Sequence, residues 1–132
     1  MNREQQKAMF AKQKVELLRP HFSNFRSGDF GLFDNLPVEK AKKLMTGYPN
    51  VDPKDTQNNS PTMAEMLKLA KTHDGTVGGY IIPSDSGRDD SRIQFTSVQL
   101  KIDKTDAEKL RDSKMPDEFT QQGKNTFTFW WD

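Results

Sequence analysis

The sequence has no cysteine in its 132 residues. That excludes disulfides, thiol catalysis and every zinc or iron–sulfur site built on Cys. Histidine is nearly as scarce, with His21 and His73 alone. No stretch approaches the roughly 18 consecutive apolar residues of a membrane-spanning helix. Strong apolar residues are few: Leu, Ile, Val and Phe together make 27 of 132, about 20%. That fraction marks the border of disorder in chains of high net charge. Here 20 basic residues face 19 acidic ones, a net charge of +1, so self-repulsion does not favour expansion. Six Met and 13 aromatics supplement the lean core. The length fits one domain spanning residues 1–132. With no secretory h-region after Met1 and no cysteine, a cytoplasmic protein is expected.

The first element reads as a helix over 2–18, rich in Gln, Lys, Glu, Ala, Met and Leu and stopped by Pro20. Its apolar stripe is split: Ala8, Ala11, Val15 and Leu18 share one face, Phe10 and Leu17 another. Two separate contacts are implied, one within the domain and one with a partner. Phe22, Phe25, Phe30 and Phe33 follow without periodicity, with Gly28 and Gly31 read as turns. A short helix is predicted over 37–46 and a third over 62–73. The third is the clearest, with Met63, Met66, Leu67 and Ala70 at helical spacing and two competing caps, Ser60 and Thr62.

After Gly75 the period changes to that of strands. Residues 76–82, 92–102 and 125–131 read as a small three-stranded sheet, the first two as a hairpin. In the second strand Ile93 and Phe95 are out of phase with Val98, Leu100 and Ile102, which predicts a bulge near Thr96-Ser97. A short helix is expected near 105–112, opened by Thr105 and Glu108. Polar loops at 46–62 and 83–91 read as flexible. The expected fold class is therefore α+β, with N-terminal helices packed on three strands.

Motifs of catalysis are missing: there is no phosphate cradle, nucleophile elbow or dinucleotide fingerprint. No catalytic residue, cofactor or metal ligand set is assigned. His73 with the Asp85/Asp89/Asp90 loop is the residual possibility of a hydrolase or metal-dependent enzyme, although Arg88 sits among those carboxylates. Charge is uneven: residues 1–50 carry 9 basic and 5 acidic groups, residues 51–132 carry 11 and 14. A weakly basic first half suits a nucleic-acid accessory protein, with Arg26 among stackable phenylalanines. The leading expectation is a non-enzymatic protein-interaction or self-associating module. Its contact residues would be Phe10, Phe22, Phe25, Arg26, Phe30, Phe33 and Trp130. Trp130 enters because consecutive strand residues face opposite sides, so it cannot share a core with Trp131.

Overall fold

The computed structural model describes residues 2–26, 30–46, 51–56, 59–82 and 92–132; the side chains of Lys7, Phe25, Arg26 and Phe30 lie outside that description. Helices α1 (Arg3–Leu18), α2 (Val38–Leu44), α3 (Met63–Thr72) and α4 (Lys104–Lys114) accompany six strands. These are β1 (Phe22–Arg26), β2 (Phe30–Pro37), β3 (Thr76–Ile82), β4 (Arg92–Lys101), β5 (Glu118–Gly123) and β6 (Thr126–Trp130).

The class is α+β, but the three-stranded sheet is overturned. All six strands form one antiparallel sheet in the order β1-β2-β3-β4-β6-β5, curled into a half-barrel. The phenylalanine-rich segment supplies β1 and β2, and the polar stretch before Lys124 supplies β5. An edge strand needs few inward side chains. In β5 only Phe119 is even partly buried, stacked 5.3 Å from Phe127, so its sequence shows no alternation.

The bulge in β4 falls where the phase slip places it. Gly78 pairs with Ser97 and Gly79 with Phe95, leaving Thr96 as the extra residue. Thus Ile93, Phe95, Val98 and Leu100 all enter one core, joined by Phe33, Leu36, Val77, Ile81, Phe127, Phe129 and Trp131. Every helix contributes to that same cluster: Val15 and Leu18 from α1, Ala41 and Leu44 from α2, Met63, Met66 and Ala70 from α3, Ala107 from α4. One face of the sheet is therefore covered by helices. No helix among the described residues covers the other.

Local signals fix the helix ends. Thr62 accepts from the Glu65 N–H at 3.1 Å and Glu65 accepts from the Thr62 N–H at 3.1 Å, so Thr62 rather than Ser60 caps α3. Thr62→Ala is expected to cost about 1 kcal/mol, read as a shift in chemical unfolding midpoint without a change in slope. Helix α3 ends through Asp74 in the left-handed region, φ 48°, with the Gly75 N–H bonded to the Ala70 carbonyl at 2.7 Å. Gly75 has no alternative: a Cβ there would collide with the Gln99 carbonyl of β4. The cap of α4 differs from the expected Thr105–Glu108 box. Asp103 takes the role, accepting from the Asp106 N–H at 2.8 Å.

In α1 the split stripe resolves into two environments. Ala11, Val15 and Leu18 are buried, while Phe10 and Met9 are exposed by 41% and 37%. Lys14 lies between the buried residues, 7% exposed, and its Nζ donates to the Leu44 carbonyl at 2.9 Å. A cation thus ties α1 to the C-terminus of α2, where the helix dipole favours it. Burial lowers its pKa to about 8.

Candidate functional site

The helix-free face is laid out by strand pairing. Side chains alternate, so the residues opposite the core cluster come forward on this side. One cross-strand row runs from Gly78 through its partner Ser97 to Trp130 and then Glu118. The next runs Thr76–Gln99–Thr128–Thr120. Asp34 completes the first row beside Gly78 because β2 is bulged there: register shifts between Phe33 and Leu36, and Asn35 takes φ 55°. Asn tolerates that conformation better than most residues.

These rows enclose a trough of about 220 Å³ lined by Asp34, Asn35, Gly78, Ser97, Gln99 and Thr128, among others. Gly78 forms its floor. A Cβ at that position would stand 2.5 Å from Ser97 Oγ and 2.9 Å from Asp34 Oδ1, so a hydroxyl and a carboxylate converge over the missing side chain. Ser97 is only 9% exposed, yet its hydroxyl has no hydrogen-bond partner among the described residues. The Asp34 carboxylate and the Gln99 amide are likewise without partners there. Thr128 differs, donating its hydroxyl proton to Gln122 Oε1 at 2.8 Å. Its oxygen therefore meets the trough as an acceptor. Among the described residues, no lysine, arginine or histidine lines the cavity.

Behind the bulge stands a second pair of polar groups. Lys40 Nζ donates to His21 Nε2 at 3.0 Å, and the backbone carbonyls of Asn35 and Asp34 lie near enough to favour the charged ring. Burial and the Lys40 charge hold His21 below its ordinary pKa of 6.5, against the pull of those carbonyls. His21 thus stands beside the bulge that carries Asp34 with its charged form disfavoured. The sign follows from the lowered pKa. The contribution is fully present above pH 6.5, and as acid is added the unfolded chain protonates first, so stability falls. Lys40→Met is expected to raise the His21 midpoint, because it removes a repelling cation; an imidazole titration by NMR checks this.

No family model, curated protein or solved structure matches this chain.

The residues expected to make contacts fall into separate places. Phe33 is a core residue, 1% exposed, and meets Phe95 edge-on at 6.4 Å. Phe22 is half-buried against the same cluster. The side chains of Phe25, Arg26 and Phe30 lie outside the described residues. Phe10 is exposed on α1, on the helical side, while Trp130 is half-buried on the helix-free face next to Ser97. The sheet therefore separates Phe10 from Trp130. Strand β6 is also not an edge, since β5 covers it.

His73 occupies the C-cap of α3, and the Asp85/Asp89/Asp90 loop lies outside the described residues. Among the described residues no three His, Asp or Glu side chains gather as a metal site. A larger hollow of about 510 Å³ opens where α3 meets β3 and β4, but Lys101 and Asp74 on its wall already pair at 3.1 Å.

The trough itself escaped the sequence reading, since Asp34, Ser97, Gln99 and Thr128 are ordinary polar residues scattered over three strands. The one available signal was Gly78-Gly79 inside a strand pattern, which marks close packing or an open floor.

Proposed function

We propose that this protein is a non-enzymatic protein-interaction module that receives its partner on the helix-free face of the sheet, around Trp130. The observation that supports this reading is the trough beside it: nine-tenths-buried Ser97 and its neighbours Asp34 and Gln99 lack partners among the described residues. These groups open onto the trough, where a ligand can complete their hydrogen bonding. Trp130 lies directly across from Ser97 and supplies the kind of half-buried aromatic that anchors interfaces. Among the described residues, no helix is long and apolar enough to cross a membrane. A cysteine-free chain suits a reducing cytoplasm, which is where we place the protein's work.

A photo-reactive amino acid at Thr120, on this face, and another at Lys109, on the exposed side of α4, test the proposal in source cells. Adducts to one protein from position 120, absent from 109 and lost with Trp130→Ala, are expected. Adducts from 109 alone, or adducts indifferent to Trp130→Ala, would overturn it. Light scattering decides whether that protein is a second copy: a strict monomer at high concentration removes self-association. The basic first half gives the runner-up, nucleic-acid binding, which requires affinity that falls steeply with salt.

A further inference from the structure

We infer that the trough over Gly78 is a receptor for one arginine side chain of the protein partner. This rests on the helix-free face being the binding surface, and it specifies what that surface recognises.

The lining dictates the chemistry. Asp34 is an acceptor whose carboxylate has no partner among the described residues. Thr128 has committed its only proton to Gln122 at 2.8 Å and presents lone pairs. Ser97 Oγ and the Gln99 amide each bring an acceptor, and among the described residues no cationic side chain lines the trough. The site is therefore acceptor-rich and negative, which selects a donor-rich, positive guest.

Size narrows the guest further. At about 220 Å³ the trough lies below the roughly 300–1,000 Å³ of pockets that enclose whole drug-like ligands. It holds one side-chain head group. An anion would face the Asp34 carboxylate, and an apolar guest would displace water from Ser97, Gln99 and Asp34 without replacing its hydrogen bonds.

Between the two cationic side chains the geometry favours arginine. The acceptors are spread across three strands: Asp34 on β2, Ser97 and Gln99 on β4, Thr128 on β6. A planar guanidinium with five N–H donors can reach several of them at once, whereas an ammonium is a compact point donor. Glu118, the cross-strand partner of Trp130 on β5, adds a second carboxylate at the far end of the row. It extends the negative field along the path by which a basic segment would arrive.

The probe is a blocked Gly-Arg-Gly tripeptide, titrated into the labelled full chain and followed by two-dimensional NMR, beside peptides carrying citrulline or lysine at the centre. Citrulline keeps the shape of arginine but lacks its charge. Shifts confined to Ser97 and the Gln99 amide are expected with arginine, at least tenfold weaker with citrulline, and weaker with lysine. Asp34→Asn should reduce arginine affinity at least tenfold. Ser97→Ala should reduce it severalfold, and it provides the second variant should the β2 bulge not accept the amide. Equal binding of the citrulline peptide, or no response at roughly 10 mM arginine peptide, tenfold above a 1 mM Kd, overturns the inference. Partner adducts at position 120 that survive Asp34→Asn would overturn it while leaving the binding face intact. Loss of those adducts with Trp130→Ala alone would thus separate the two failures.

Discussion

Trp131→Ala is expected to cost about 3–5 kcal/mol, the range for emptying a large aromatic from a packed core. Against a net stability of about 5–15 kcal/mol that is enough to leave a substantial fraction unfolded. Trp131 is 1% exposed, stacks on Phe129 with ring centres 6.5 Å apart, and donates its indole N–H to the Lys114 carbonyl at 2.9 Å. It closes the end of the core and fastens the last turn of α4 to the sheet. Removing it leaves a cavity and an orphaned helix carbonyl together. Trp130→Ala, one residue earlier, is expected to cost about 1 kcal/mol, because that ring is half-buried on the open face. Chemical unfolding of the two variants side by side measures the contrast. Equal losses would mean that Trp130 is as much a core residue as its neighbour and would remove it as an interface anchor.

The second large effect belongs to Lys14. Its folded pKa is about 8 against an ordinary 10.5, so the folded chain holds the proton less tightly than the unfolded chain. Below pH 8 the charged ammonium is carried at a cost; between pH 8 and 10.5 the folded protein releases the proton first and stability rises. The full shift corresponds to about 3 kcal/mol at most. Lys14→Met keeps an unbranched side chain, one atom shorter, and removes the desolvated charge. It is expected to be neutral to stabilising at pH 7, since apolar replacements of buried charges commonly are, and to flatten the rise above pH 8. Denaturant unfolding of both proteins at several pH values provides the difference, in which the other lysines and tyrosines cancel. A parallel rise in both proteins would place the cause elsewhere.

How far the sequence carried the fold depended on how each element meets water. Helix α3 was legible because a single apolar stripe faces a single core and a capping box opens it. Strand β6 was legible for the same reason in period two, with Phe127, Phe129 and Trp131 inward. Strands β1 and β2 were hidden: the pair is irregular near Phe22, and the bulge at Asp34-Asn35 breaks the alternation between Phe33 and Leu36. Strand β5 hid because an edge hairpin strand requires only one anchoring aromatic. The trough was illegible for a stronger reason. Its parts are joined only by the register of four strands, and two bulges set that register. Asp34 would otherwise stand away from Gly78, and Ser97 would turn inward.

The place of β6 between β4 and β5 also sets an order of assembly. Gly123 and Thr126 pair across the two residues Lys124 and Asn125, so β5 and β6 close a short loop at little entropic cost. The ladder from β6 to β4 joins Ser97 to Trp130 and must wait for a much longer loop containing α4. The hairpin therefore docks as a preformed unit, and the half-barrel is zipped from the β4 side last. Refolding monitored by Trp131 fluorescence should follow that docking event rather than the earlier formation of helix, making the final tryptophan a clock for the slowest non-local step.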